Sequence, residues 1–211
     1  MVVRALLESG ADINKAADTG YTPLHIASHK GHGTVVRVLL EGGADINKAA
    51  DTGYTPLFLA SLNGHEMVVK MMLESGADVE KGADNGVTPL RIASGEGHEA
   101  VVRALLEGGA DINKTDSSGC TPLRTASGEG HVTVVRVLLE GGADINKTDD
   151  SGYTPLFMAS LNNHEAVVRV LLEGGADIGK AADNGSTSRS LATAPEIISM
   201  LDNAIQAKHA E

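Results

Sequence analysis

The sequence predicts an all-α protein built from repeated helix pairs, and three observations carry that prediction. The string Thr-Pro-Leu begins at Thr22, Thr55, Thr88, Thr121 and Thr154, a constant step of 33 residues. The histidines His32, His65, His98, His131 and His164 keep the same step, as do Gly-Ala-Asp triplets starting at Gly43, Gly76, Gly109, Gly142 and Gly175. Aromatic residues make up only 2% of a chain that is 42% hydrophobic and has no Trp. That composition suits thin aliphatic layers stacked unit on unit.

The step divides the chain, read as a single domain, into a partial unit at 1–16, full units at 17–49, 50–82, 83–115, 116–148 and 149–181, and a divergent last unit at 182–211. In the first full unit Thr22 is placed to cap a helix, with Pro23 at its first turn, where a missing N–H is harmless. Leu24, Ile26 and Ala27 supply a short apolar face, and Gly31 ends the helix. Val35, Val36, Leu39 and Leu40 then recur at helical spacing. Gly43 stands where a left-handed C-terminal cap belongs. The stretch from Ala44 to Tyr54 is rich in Asp, Asn and Gly, as a hairpin-like turn requires. A unit this small cannot bury its apolar face alone, so neighbours must cover it.

The run Asp18-Thr-Gly-Tyr-Thr-Pro-Leu-His-Ile-Ala-Ser, followed by Gly31-His32, Val35-Val36, Leu39-Leu40 and Gly43-Ala-Asp-Ile-Asn47, resembles the ankyrin repeat family nearly throughout, and the resemblance extends to about residue 185. It implies an ankyrin-repeat solenoid of helix-turn-helix units with hairpin-like loops. It also implies a concave face of loop tips and first helices on which protein partners bind, and no catalysis. Asn14, Asn47, Asn113 and Asn146, each after Asp-Ile and eight residues after a Leu, are similar to asparagines that a hydroxylase modifies in this family.

Departures from the pattern are informative. The motif Thr-Pro-Leu-His is complete only at Thr22–His25. Phe58, Arg91, Arg124 and Phe157 replace the His in later units. The chain opens in mid-unit, so that Val2, Val3, Leu6 and Leu7 lack a first helix to pack against and end-to-end contact with another copy is open to them. The last unit reads as a cap: Arg189 replaces a Leu, Ile197, Ile198, Met200 and Leu201 form the second helix, and a polar tail runs from Gln206. Thr125 occupies a column read as core from Ile26, Leu59, Ile92 and Met158. If it is buried without a partner, Thr125→Ile stabilises by about 1 kcal/mol.

Several function classes are excluded on composition. The formal net charge is −11, which disfavours nucleic acid and anionic membrane surfaces, both of which call for excess Lys and Arg. One cysteine, Cys120, leaves no disulfide framework. No secretory leader and no apolar stretch near the ~18 residues of a membrane span is present, so an intracellular, cytoplasmic monomer is expected. No cofactor or metal is expected: histidines placed one per unit are spread by roughly 10 Å each, whereas zinc ligands converge within ~2 Å of one ion. Cys120 and His131 read as an incidental thiol and a structural histidine rather than a nucleophile and its base.

What remains is a protein or peptide partner, or else an architectural, consensus-like array with no evolved partner. The five aromatic residues, Tyr21, Tyr54, Phe58, Tyr153 and Phe157, all fall in two columns. Leu62 and Leu161 extend two of them into trios along one side of a first helix. The trios lie three units apart, roughly 30 Å at helix-packing spacing, with Arg91, Glu96, Arg124 and Glu129 between them. An elongated partner gripped at two apolar patches is the expectation. The acids Asp18, Asp51, Asp84, Asp116, Asp149, Asp150 and Asp183 form a fringe at the turn tips. Their bland role is turn capping and their functional one is attraction of a basic partner. Glu66–Lys70, Glu99–Arg103 and Glu165–Arg169 read as i,i+4 pairs on a solvated back face.

Overall fold

A computed structural model describes residues 2–209, with side chains from residue 4 to residue 208. Thirteen helices follow in order: α1 (Val2–Glu8), α2 (Pro23–His29), α3 (Gly33–Glu41), α4 (Pro56–Leu62), α5 (Glu66–Glu74), α6 (Pro89–Gly95), α7 (Glu99–Glu107), α8 (Pro122–Glu129), α9 (Val132–Glu140), α10 (Pro155–Leu161), α11 (Glu165–Glu173), α12 (Ser188–Leu191) and α13 (Pro195–His209). The described residues contain no strand beyond one isolated bridge, Ala181 to Thr187. The fold is therefore all-α, as the period requires. None of these helices is long and apolar enough to cross a membrane.

The chain divides into two compact units, Met1–Ala93 with Ala100–Asp111, and Ser94–Glu99 with Ile112–Glu211. In the first, α2 packs on α3 and α4, α4 on α5, α3 on α5, and α1 on α3. Its core is a file of aliphatic side chains, Leu24, Val36, Leu39, Leu57, Val69 and Met72, each at most 1% exposed. In the second, α8 packs on α9 and α10, α10 on α11 and α12, and α11 on α9 and α13. Leu123, Val135, Leu138, Leu156, Val168, Leu171 and Ile197 fill it. Fully burying each such side chain contributes about 1.5–3 kcal/mol before conformational entropy is subtracted.

Local chemistry sets the helix ends. Thr55, Thr121 and Thr154 have extended backbone, and each side-chain oxygen accepts the N–H three residues on, from Phe58, Arg124 and Phe157, at 3.1 Å. Proline at the next position costs no hydrogen bond. The second helices end in a paired cap: after α9 the Ala143 N–H donates to the Leu138 carbonyl at 2.9 Å and the Gly142 N–H to the Leu139 carbonyl at 3.0 Å. Gly142 reaches φ 87° to make that turn.

The last unit keeps two helices but shortens the first. The Thr187 hydroxyl caps α12, and the Ser190 hydroxyl accepts from the Thr187 N–H in return. Arg189, which stands where a Leu was expected, forks onto Asp202 of α13, with bonds of 2.5 and 3.0 Å. That hydrogen bond holds the Asp202 carboxyl below its ordinary range.

Two expectations need correction, and one falls outside the described residues. Ile26 is not core: it is 53% exposed, while its counterpart Leu59, on α4 packed against α2, is 3% exposed. Thr125 is half-buried and its hydroxyl donates to the Thr121 carbonyl at 3.0 Å. The ground for a gain from Thr125→Ile is thereby removed. The polar tail that begins at Gln206 continues α13 as far as His209. Leu6 is 54% exposed, as an unpaired second helix implies; the side chains of Val2 and Val3 lie outside the described residues.

Two glycines of the second unit separate backbone strain from crowding. Gly130 and Gly142 have φ of 80° and 87°. A Cβ at Gly142 meets nothing within 4 Å, whereas one at Gly130 would stand 2.6 Å from Nδ1 of His164. We expect Gly142→Ala to destabilise by about 1 kcal/mol from left-handed strain alone, and Gly130→Ala by clearly more, since the imidazole must also move. Urea denaturation of the two variants checks this; equal losses would show that the histidine yields freely.

Candidate interaction surface

The first turn of each first helix decides what the front of the repeat presents. In the unit with the complete motif, the Thr22 N–H donates to Nδ1 of His25 at 3.1 Å, with the Thr22 hydroxyl 2.8 Å from the same atom. Because Nδ1 accepts, Nε2 carries the proton and donates to the Tyr54 carbonyl of the next turn at 3.0 Å. The ring is fully buried, and burial pushes its pKa below the usual imidazole value against the pull of the Tyr54 carbonyl.

The replacements at this position solve the same packing problem with other chemistry. Phe58 and Phe157 are 3% and 1% exposed. They are therefore core residues and not partner contacts, which corrects their sequence assignment. Each lies under its tyrosine: Tyr54 stacks on Phe58 at 4.6 Å and Tyr153 on Phe157 at 4.4 Å between ring centroids. Arg124 is likewise turned inward. Its guanidinium pairs with the Asp149 carboxylate, the two side chains being 17% and 6% exposed. The other oxygen of Asp149 accepts from the backbone N–H groups of Ser151 and Tyr153 at 3.0 and 2.9 Å. Arg124 thus steadies the following turn and is not a free basic contact, a further correction. The sequence held the signal. This turn position is Ala17, Ala50, Ala83 or Ala182 elsewhere, and becomes Asp116 or Asp149 only in units that follow an Arg at the motif's fourth position.

Tyr21, Tyr54 and Leu62 are brought together in the first unit. They line an open groove of about 520 Å³ with Ala17, Thr19, Ile26, His29 and Leu59. Every lining residue but Thr19 and His29 is apolar or a tyrosine. Ile26 and Leu59 are the contributors that column reading missed, because it assigned both to the core. The Asn63 amide nitrogen donates to the Leu59 carbonyl at 2.8 Å, so the same nitrogen, 3.0 Å from Nδ1 of His29, donates there as well.

Acid surrounds this groove at the turns. A Cβ built on Gly20 would fall 2.7 Å from Oδ1 of Asp51, and one on Gly53 would fall 2.4 Å from Oδ1 of Asp84. Each carboxylate therefore lies over the glycine that precedes a groove tyrosine, and both aspartates are exposed. In the second unit Tyr153 is half-buried, Leu161 is 41% exposed and Asp183 lies over Gly152. Arg91 is half-buried, while Glu96, just after α6, and Glu129, the last residue of α8, are exposed.

The periodic histidines and asparagines join repeats. Nε2 of His65 lies 2.9 Å from the His29 carbonyl, that of His131 2.8 Å from Gly95, and that of His164 2.9 Å from Gly128. The side-chain oxygens of Asn14, Asn47, Asn113 and Asn146 accept the N–H of Asp45, Asp78, Asp144 and Asp177 at 2.8–2.9 Å. Cys120 is buried, with its sulfur 3.9 Å from the Ser118 carbonyl, and His131 is engaged with Gly95, so each has its own structural partner.

A fold of helix pairs joined by turns, with a side-chain bond from each pair to the next, defines a helical repeat protein. The ankyrin-repeat model, in three-copy form, matches residues 1–83, 46–116, 78–149 and 109–182. The chain belongs to the ankyrin repeat family. Among solved structures it is similar to the human ASB11 ankyrin repeat domain, with 28% identity over 95% of this chain and 90% of that one, at a TM-score of 0.86. A comparison with curated proteins gave no match. Ankyrin repeats are in general protein-interaction modules, and the fold is typically a non-catalytic scaffold.

Two outcomes follow from the fourth-position chemistry. His25 is buried with a lowered pKa, so the unfolded chain binds more protons than the folded one once pH falls below the ordinary imidazole value of about 6.5. Its contribution is complete above that value and declines as pH drops through it toward the folded pKa. His25→Phe, which imitates Phe58, should therefore lose less stability than the parent between about pH 7.5 and about pH 5.5, measured by urea unfolding. Arg124 and Asp149 form a buried charge pair, so Arg124→Met and Asp149→Ala should show a coupling of about 1–3 kcal/mol in a double-mutant cycle. Additive losses would show that the pair contributes nothing beyond its separate packing.

Proposed function

We propose that this protein is an interaction scaffold that binds a protein partner on its front face, the concave side formed by turn tips and first helices. The observation that carries the reading is the groove between Tyr21, Ile26, Tyr54 and Leu62. Apolar surface left open beside rigid aromatic rings is where binding energy concentrates, because a partner side chain that enters is desolvated on several sides. The back face also exposes Met67, at 71%, but its polar surface carries local ion pairs, Lys70 with Glu66 at 2.6 Å and Arg169 with Glu165 at 2.7 Å. Such pairs contribute tenths of a kcal/mol and favour solvent. The net charge of −11 supports a protein partner over nucleic acid. Leu161, exposed beside Tyr153, supports a second point of contact in the other compact unit.

A photo-crosslinking amino acid placed singly at Ile26, Leu161, Arg103 and Arg136 tests the assignment in cell extract. We expect the same protein partner to be captured from position 26 or 161 and not from 103 or 136. Capture from 103 or 136 alone would move the binding surface to the other side of the repeats.

A further inference from the structure

We infer that the groove of the first unit takes a linear peptide segment that presents a bulky aliphatic or aromatic side chain with a Lys or Arg close beside it. This inference rests on the scaffold reading and names the partner chemistry at one site.

The groove sets the first half of that motif. Leu59, 3% exposed, lies at its floor, the rings of Tyr21 and Tyr54 and the side chain of Leu62 form its walls, and Ile26 is 53% exposed at its edge. At about 520 Å³ and open to solvent, it admits one or two large side chains of a strand-like segment but not a folded domain. Of the polar lining groups, His29 has its Nδ1 3.0 Å from the Asn63 amide nitrogen, and the neighbouring Thr22 hydroxyl and His25 ring are bonded within the protein.

Charge sets the second half. Asp18 and Asp51 stand exposed at the turns that carry groove residues, and Asp84 stands exposed at the following turn, over Gly53. Asp18 lies between the lining residues Ala17 and Thr19 in the chain. The Asp51 N–H donates to the Thr19 carbonyl at 3.2 Å, and the Asp84 N–H to the Thr52 carbonyl at 3.4 Å. These bonds and the packing over Gly20 and Gly53 hold both carboxylates in place, and no Lys or Arg lines the groove. An acidic rim beside an apolar slot attracts a segment with a basic residue and repels an acidic one.

The test is a random peptide library displayed on phage and selected against the full chain, followed by anisotropy measurements on a fluorescent form of the best sequence. The selected peptides should share a large apolar residue with Lys or Arg within a few positions of it. Ile26→Glu should weaken binding at least tenfold, and Ile26→Ala, which adds no charge, at least threefold. Asp51→Asn with Asp84→Asn should weaken it three- to tenfold and flatten its salt dependence. Arg136→Ala, on the second-helix side, should leave it unchanged. Melting curves of each variant accompany the binding data. Enrichment of acidic or uncharged peptides, binding indifferent to both Ile26 variants, or no enrichment at all would overturn the inference. So would self-association of the chain that Ile26→Glu abolishes, since the occupant would then be a second copy. None of these results touches the scaffold reading, which stands or falls on the position of the crosslinks.

Discussion

Each helix pair in this protein is too small to enclose its own apolar face, and everything else in the structure follows from how one repeat is fastened to the next. Two side-chain bonds do the fastening within each compact unit. An asparagine at the base of one turn accepts an N–H 31 residues on, as Asn47 does from Asp78. A histidine at the start of a second helix reaches a carbonyl 36 residues back, as His164 does at Gly128. Both offsets are fixed by a 33-residue step, so an inserted residue would disengage both bonds. The constancy of the step is thus a physical requirement. One substitution shows that the bond matters more than the residue: Glu80 stands in the asparagine column and its carboxylate still accepts from Asp111 at 2.7 Å.

The fourth position of the Thr-Pro-Leu motif shows a second economy of means. The space behind the front turn must be filled and the turn of the following repeat must be steadied. His25 does both through two hydrogen bonds, Phe58 and Phe157 do the first by burying a ring beneath a tyrosine, and Arg124 does the second through Asp149. Each choice constrains another position. A phenylalanine suits a tyrosine four residues before it to stack on, and the arginine calls for an acid 25 residues on. The functional consequence is indirect: these buried groups hold Tyr54 and Tyr153 in place, and pre-set rings lose little conformational entropy on binding.

The distribution of polarity then separates two faces. The second helices carry short-range ion pairs that water screens. The front carries the groove of the first unit and a row of carboxylates pinned over turn glycines. The acids have a structural origin, since Asp residues in these turns accept backbone N–H groups, as Asp45 does from Asn47 at 3.1 Å. Those over the glycines, Asp51 and Asp84, bond through their own N–H groups and remain exposed. Turn chemistry and recognition chemistry are in this way supplied by neighbouring residues of the same loop.

The sequence alone determined the repeat, the helix pairs and the caps, because those depend on local periodicity and on residue types whose backbone preferences are strong. Pro after Thr, Gly after the second helix and aliphatic residues at helical spacing leave few alternatives. It also determined that aromatic residues cluster in two columns. Only the tertiary structure decided which of them face solvent. Phe58 and Phe157 share a column with His25 and Arg124, and no rule of spacing shows that this column points inward beneath the tyrosines. Ile26 and Leu59 share a column and have opposite burial, because exposure depends on whether a neighbouring first helix lies against the residue. Pattern reports what a residue's own backbone prefers. Burial and pairing depend on what another part of the chain, about one repeat away, places beside it.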